Sequence, residues 1–198
     1  MTDLRITWDN IEDLRRFHEA VQQIGSNAMA QIAPRAINRA GSMARTRVIR
    51  ALAKQTGLKQ KVIRKAVRTR SAWGSDYGAS YDYELITSGG EIDLKHFDPR
   101  EVEGGTMAKP FGRQTMYPDA FMRGGVFPTH RVALRKVKGV VVRKTDARMP
   151  IMKAHSGVWI PKEMVQGETA QAFASTVAEV LPRRLAHEMN RLTGGVIT

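Results

Sequence analysis

Residues 35–70 read RAINRAGSMARTRVIRALAKQTGLKQKVIRKAVRTR, and the architecture turns on them. Apolar side chains recur in steps of three and four at Ala36, Ile37, Ala40, Met43, Ala44, Val48, Ala51 and Leu52, which lays one stripe along an α-helix. Pro34 suits a first helical turn, or a kink, because its missing N–H has no intrahelical partner there. Gly57 suits the C-terminal cap, since glycine enters the left-handed region without a steric penalty. A shorter helix is expected from about Lys59 to Val67, with Val62, Ile63, Ala66 and Val67 on its inner face. The stretch therefore predicts a long helix, a tight turn and a short helix.

The same stretch carries twelve Lys and Arg and no Asp or Glu; the nearest acids are Glu19 before it and Asp76 after it. The whole chain has 32 Lys and Arg against 19 Asp and Glu, a formal net charge of +13. One segment thus holds an excess almost equal to the total. Arg45, Arg47, Arg50, Lys54, Lys59, Lys61, Arg64 and Lys65 are the candidate contacts to DNA or to an acidic partner. Two readings compete. Ala53, Gly57 and Ile63 have the relative spacing of a DNA-reading helix-turn-helix, which would set Lys59, Gln60, Lys61 and Arg64 toward the major groove. Alternatively the two helices form a plain hairpin with a solvated cationic face. Attraction to a polyanion needs only the charge, not a base code.

Composition narrows the classes. Hydrophobic content of 42% and charged content of 26% are those of a globular chain, and 198 residues fit a single α+β domain spanning 1–198. Aromatics make up 7%, so the core leans on Ala, Val, Ile, Leu and Met. The absence of cysteine excludes disulfides, thiolate metal sites and Cys nucleophiles. No apolar run approaches the roughly 20 residues of a membrane helix, and MTDLRITWDN lacks the pattern of a secretory leader. A strongly basic chain implies acidic partners.

Outward from the basic stretch, Leu4 to Trp8 alternates as a short strand, and Ile11, Leu14, Phe17, Val21 and Ile24 mark an amphipathic helix. Residues 79–87 (ASYDYELIT) and 91–97 (EIDLKHF) alternate on either side of Ser88-Gly89-Gly90 and predict an antiparallel hairpin. Residues 98–128 are rich in Gly and Pro yet studded with Met107, Phe111, Met116, Tyr117, Phe121 and Phe127. An aperiodic stretch of this length is functional or flexible, and its apolar content predicts an extended β-rich arm that orders against the fold or a neighbouring subunit, those six residues being the candidate assembly contacts. Residues 131–144 predict two strands turning near Lys138-Gly139, and 149–151 with 157–160 a final strand pair. Phe173, Val177, Val180, Leu181, Leu185 and Met189 predict a C-terminal helix over 170–192, kinked at Pro182. The fold class expected is α+β: a twisted, mainly antiparallel sheet packed by a long basic helix, a short second helix and a C-terminal helix.

No catalytic constellation stands out. The histidines at 18, 96, 130, 155 and 187 show no metal-ligand spacing. Asp82 with Glu84, and Glu91 with Asp93, are paired carboxylates of the kind that can do acid–base work or hold Mg²⁺; the polar outer face of a hairpin accounts for them equally. Neither Gly104-Gly105 nor Gly124-Gly125 has a following Lys-Ser/Thr and helix start, so no phosphate-cradling loop is expected. No enzyme, cofactor or metal is predicted.

Five blocks taken together carry a resemblance: AINRAGSMARTRVIRALAKQTGLKQKVIRKAV (36–67), ELITSGGEIDLKHFDPRE (84–101), FMRGGVFPTHRV (121–132), RMPIMKAHSGVWIPKEMV (148–165) and AFASTVAEVLPRRLAHEM (172–189). In this order they resemble the minor tail protein Z family of long non-contractile tailed phages and their prophages, over about residues 30 to 190. The resemblance implies a structural virion protein, made in the bacterial host cytoplasm, that completes the head-proximal end of the tail and helps position DNA at the head–tail junction. It implies other tail and neck proteins as partners, a six-fold ring in the virion whose protomers can be monomers in isolation, and no catalytic residue to carry over. A small helix-turn-helix regulator is the alternative reading of the same basic stretch, and a membrane partner is not expected.

Overall fold

A computed structural model describes residues 2–6, 26–75, 77–134 and 137–192. The expected helix over 11–25 lies outside these residues, as does the end of the strand expected at 4–8.

The basic stretch is helical over α1 (Ser26–Thr56), which buries Ile32, Ala33, Ala36, Ile37, Ala40, Ala44, Val48, Ile49 and Leu52. Four of these nine are alanines, at 33, 36, 40 and 44, and there neighbours come close to the helix backbone. Its main neighbour is α4 (Gly167–Leu192), which buries Phe173, Val177, Val180, Leu181 and Leu185 against it. The α4 helix runs through Pro182, as the expected span 170–192 required. The α1 helix likewise does not begin at Pro34 but runs through it. Proline has no N–H to give the carbonyl four residues back, and that carbonyl, of Ala30, faces the backbone of Gly74: a Cβ built on Gly74 would sit 1.9 Å from it. The close approach of β3 (Trp73–Ser75) thus occupies the place where the helix ladder is interrupted.

Gly57 caps α1 as expected, with φ +76° and its N–H donated to the Ala53 carbonyl at 3.0 Å. The second helix, α2 (Gln60–Ala66), buries Ile63 and leads directly into β2 (Val67–Arg70). That strand flanks one side of β5 (Tyr83–Thr87), and β1 (Thr2–Ile6) flanks the other, both antiparallel, in the order β1-β5-β2. Tyr83, Leu85 and Thr87, alternate residues of β5, are all buried.

The contact between α1 and β5 has no spare volume. A Cβ built on Gly41 would lie 2.3–2.5 Å from the Tyr83 ring. Alanine in a helix interior is normally favoured over glycine by about 0.5–1 kcal/mol, whereas an inserted methyl in a tight core costs about 1–3 kcal/mol. The clash wins: Gly41→Ala is expected to lower the melting temperature by roughly 3–6 °C. Combining it with Tyr83→Leu, which vacates the ring volume, should cost less than the two single changes summed. Additive melting shifts would contradict the contact.

With both edges of β5 occupied, the hairpin expected between 79–87 and 91–97 does not form. Residues 92–94 instead run beside 154–158: Ile92 N–H donates to Val158 O, Leu94 N–H to Ala154 O and Ser156 N–H to Ile92 O. Alternation marks a segment as extended but does not choose its partner. The short β3 pairs with β4 (Gly78–Ser80). Residues 98–128 form paired strands, several of whose residues pack against the core. A meander of β6 (Arg100–Val102), β7 (Gly105–Ala108) and β8 (Thr115–Pro118) buries Thr106, Ala108, Pro110 and Ala120. The chain then makes a hairpin of β9 (Arg123–Val126) and β10 (His130–Ala133). The two strands expected over 131–144 do not pair with each other: β10 pairs backward with β9, while β11 (Val141–Arg143) pairs forward with β12 (Ile151–Lys153). Residues 157–160 are not a strand; they lead into the short helix α3 (Ile160–Met164). The architecture is α+β, with several small antiparallel sheets around the helical pair. Among the described residues no helix is long and apolar enough to cross a membrane.

Candidate polyanion-binding surface

The outward stripe of α1 follows from its inward one. Residues 35, 39, 42, 46, 50 and 54 are exposed, in steps of three and four. At 1.5 Å per residue this stripe spans ~28 Å. It places Arg35, Arg39, Arg50 and Lys54 on solvent, with Lys61, Arg64 and Lys65 of α2 and Arg68 of β2 also exposed.

The eight predicted contacts separate into two groups. Arg47 donates to Glu179 at 3.0 Å and to the Thr176 hydroxyl at 3.4 Å, tying α1 to α4. Lys54 is 3.1 Å from Glu168 at the start of α4. Lys59 donates to Asp98 at 2.6 Å, and this ammonium, by hydrogen bond and by charge, holds the Asp98 carboxyl below the ordinary aspartate range. Arg45 is half-buried and donates to the Val67 carbonyl at 3.3 Å, with its Nε buried and unpartnered. Beside it, burial pushes the Tyr83 phenol up, against the opposing charge of Arg45. These four side chains are engaged within the chain. Arg50, Lys61 and Lys65 meet no acid among the described residues, and Arg64 reaches only the Gln60 amide oxygen at 3.4 Å. Arg35, Arg39 and Arg68 add three more such cations that the sequence reading did not single out within the run.

The turn between the helices is covered. A Cβ on Gly57 would meet Gly112 N at 2.8 Å and Lys109 O at 2.9 Å, so the 109–112 turn sits directly on it. Lys59, just before α2, is engaged by Asp98 of the same 98–128 segment.

The candidate assembly residues also divide. Phe111, Met116 and Phe127 are exposed; Met107 and Phe121 are half-buried; Tyr117 packs against the core. The Arg143 guanidinium lies over the Phe121 ring, 5.7 Å from its centroid, and Arg131 lies 5.8 Å from that of Phe127. Glu84 is not on an outer polar face: it is buried, pairs with Arg70 at 2.8 Å, and stands opposite Arg5 in the β1 register. Asp93 accepts from Lys153 and lies 3.2 Å from both Lys153 and Lys95; although burial works against it, these two ammonium groups lower its carboxyl. Among the described residues no group of three or more His, Asp or Glu is placed to hold a metal ion.

Comparison of the chain with protein-family models, with curated proteins and with solved structures yields no match.

Proposed function

We propose that this chain is a structural protein of a tailed-phage virion, acting at the head-proximal end of the tail, with a cationic helical surface that faces DNA phosphates or an acidic neighbour in the neck. The observation that carries the reading is the row of cations on α1, α2 and β2 that no acid of the chain compensates among the described residues. The resemblance of the ordered sequence blocks to the minor tail protein Z family supports the virion assignment. Protomers assemble as a six-fold ring, with the exposed Phe111, Met116 and Phe127 at contacts between neighbours. Phosphate contacts without base readout would let DNA sit and later slide. The reading assigns no reaction to the chain.

The covered Gly57 turn and the engaged Lys59 count against the alternative, a helix-turn-helix regulator, because a recognition helix must enter the major groove unobstructed. Fluorescence anisotropy with duplexes of varied sequence across a salt series, beside mass by light scattering, separates the two. The proposal expects binding that is indifferent to sequence and steep in salt. If all seven uncompensated cations meet phosphates, the slope of log K on log salt approaches about −6. A dimer with a preferred sequence would replace it with the regulator. Absence of DNA binding at moderate salt would leave a protein as the acidic partner.

A further inference from the structure

A second charged site lies outside the helical surface. Where the β9–β10 hairpin meets the end of β11 there is a cleft of 470 Å³, lined by Asp119, Phe121, Arg123, Arg131, Arg143, Lys144 and Asp146 among others. Phe121 and Val141 join its two sides through reciprocal backbone hydrogen bonds of 2.9 Å. Arg131 forms a fixed wall: it is ion-paired with Glu101 and donates to the Gly125 carbonyl at 3.2 Å. Arg143 is steadied over Phe121. Among the described residues, Arg123, Arg143 and Lys144 are ion-paired with neither Asp119 nor Asp146, although all five share the cleft.

Both signs of charge are therefore presented unpaired to whatever enters. Inorganic phosphate or a polyglutamate chain satisfies the cations but is repelled by the carboxylates. A nucleotide satisfies both. Its phosphate suits the guanidinium fork and the ammonium, while a sugar hydroxyl or an exocyclic base amine can donate to the carboxylates. The volume is that of a small-ligand site. A base seated in a cleft cannot be stacked in a duplex, so the strand supplying it must be single or frayed.

We propose that this cleft binds one nucleotide unit of a single-stranded nucleic acid. The site shares no residue with the α1–α2 surface, so it stands or falls independently of duplex binding there. The test uses the full chain with a fluorescein-labelled, mixed-sequence single-stranded oligonucleotide, and with inorganic pyrophosphate and polyglutamate as competitors. Arg123→Ala/Arg143→Ala/Lys144→Ala, all at solvent-facing positions, is expected to weaken single-strand binding by at least about tenfold, the order of one lost charge-assisted hydrogen bond, with duplex binding within about twofold of the parent. Asp119→Asn/Asp146→Asn is expected to strengthen competition by pyrophosphate relative to the oligonucleotide, since the repulsion is lifted for both but the charge-assisted acceptors are lost only to the nucleotide. Asn tolerates the positive φ of Asp119, so the fold is kept. Unchanged single-strand affinity in the triple variant would overturn the proposal. So would polyglutamate displacing the oligonucleotide as well as unlabelled strand does, which would make the cleft an acidic-peptide site.

Discussion

Glu101→Ala is expected to destabilise the protein by about 3–5 kcal/mol, the usual cost of stranding one member of a nearly buried ion pair. Glu101 and Arg131 retain 13% and 14% of their side-chain exposure. The carboxylate accepts from the Arg131 guanidinium and from the backbone N–H groups of Met122 and Arg123, so one side chain of β6 ties the start of β9 to Arg131 of β10. Its removal leaves a largely buried guanidinium whose buried Nε already lacks a partner. Replacing both residues by Met should cost less than Glu101→Ala alone, because no charge is then left behind. Chemical denaturation of the three proteins checks this. Equal losses for Glu101→Ala and the double variant would show that the pair does not matter as a pair.

The same carboxylate sets a pH dependence. Burial pushes Glu101 up, but the Arg131 bond and the two N–H groups outweigh it and hold the carboxyl below the ordinary range. A depressed folded-state pKa means that the unfolded chain binds the proton more readily. The stabilisation is therefore complete above the unfolded glutamate value of about 4.3 and is lost as pH falls through the folded value. Asp93, lowered by Lys153 and Lys95 against its burial, acts in the same direction. Stability should fall on acidification below about pH 4, and in Glu101→Gln the fall should be shallower.

What the sequence disclosed and what it withheld have physical reasons. The stripe of α1, the Gly57 cap and the C-terminal helix were legible because each rests on local chemistry: a 3.6-residue period, or a backbone position that only glycine occupies cheaply. Strand partners were not. Residues 91–97 alternate as a strand should, yet Ile92 and Leu94 pair with a segment some sixty positions on, because β5 is already flanked on both sides. Pro34 reads equally as a helix start or as a kink, since nothing local announces that the Ala30 carbonyl it leaves unbonded is approached by Gly74. In the candidate surface, the run of cations was plain but its compensation was not. Glu179, Glu168 and Asp98 lie far along the chain from Arg47, Lys54 and Lys59, and only the fold brings them within 3.1 Å. The cleft at Arg123, Arg143 and Lys144 assembles from two hairpins that no periodicity connects.

That compensation yields the largest expected effect on binding. If the helical surface meets phosphates, Arg50→Ala/Lys61→Ala/Arg64→Ala/Lys65→Ala removes four cations that no internal acid holds back. The slope of log K on log salt should become less steep by about 3.6, and duplex affinity near 0.1 M salt should fall by roughly 10²–10³. Folding should be spared, since exposed positions away from special features change stability by about 0.5 kcal/mol or less. The contrast lies in the paired group. Removing each pair as a unit, in Arg47→Ala/Glu179→Ala, Lys54→Ala/Glu168→Ala and Lys59→Ala/Asp98→Ala, leaves the net charge at +13. Such exposed bridges contribute about 0–1 kcal/mol each to stability, and a cation already spent on a carboxylate must break that contact to reach a phosphate. Duplex affinity in these charge-neutral variants should stay within about twofold of the parent, with the salt slope unchanged. If they lose as much as the four-cation variant, the internal pairs open on binding and the contact surface extends along α1 toward α4. If the four-cation variant binds duplex as the parent does, DNA is not what the helices face, and the test passes to acidic proteins.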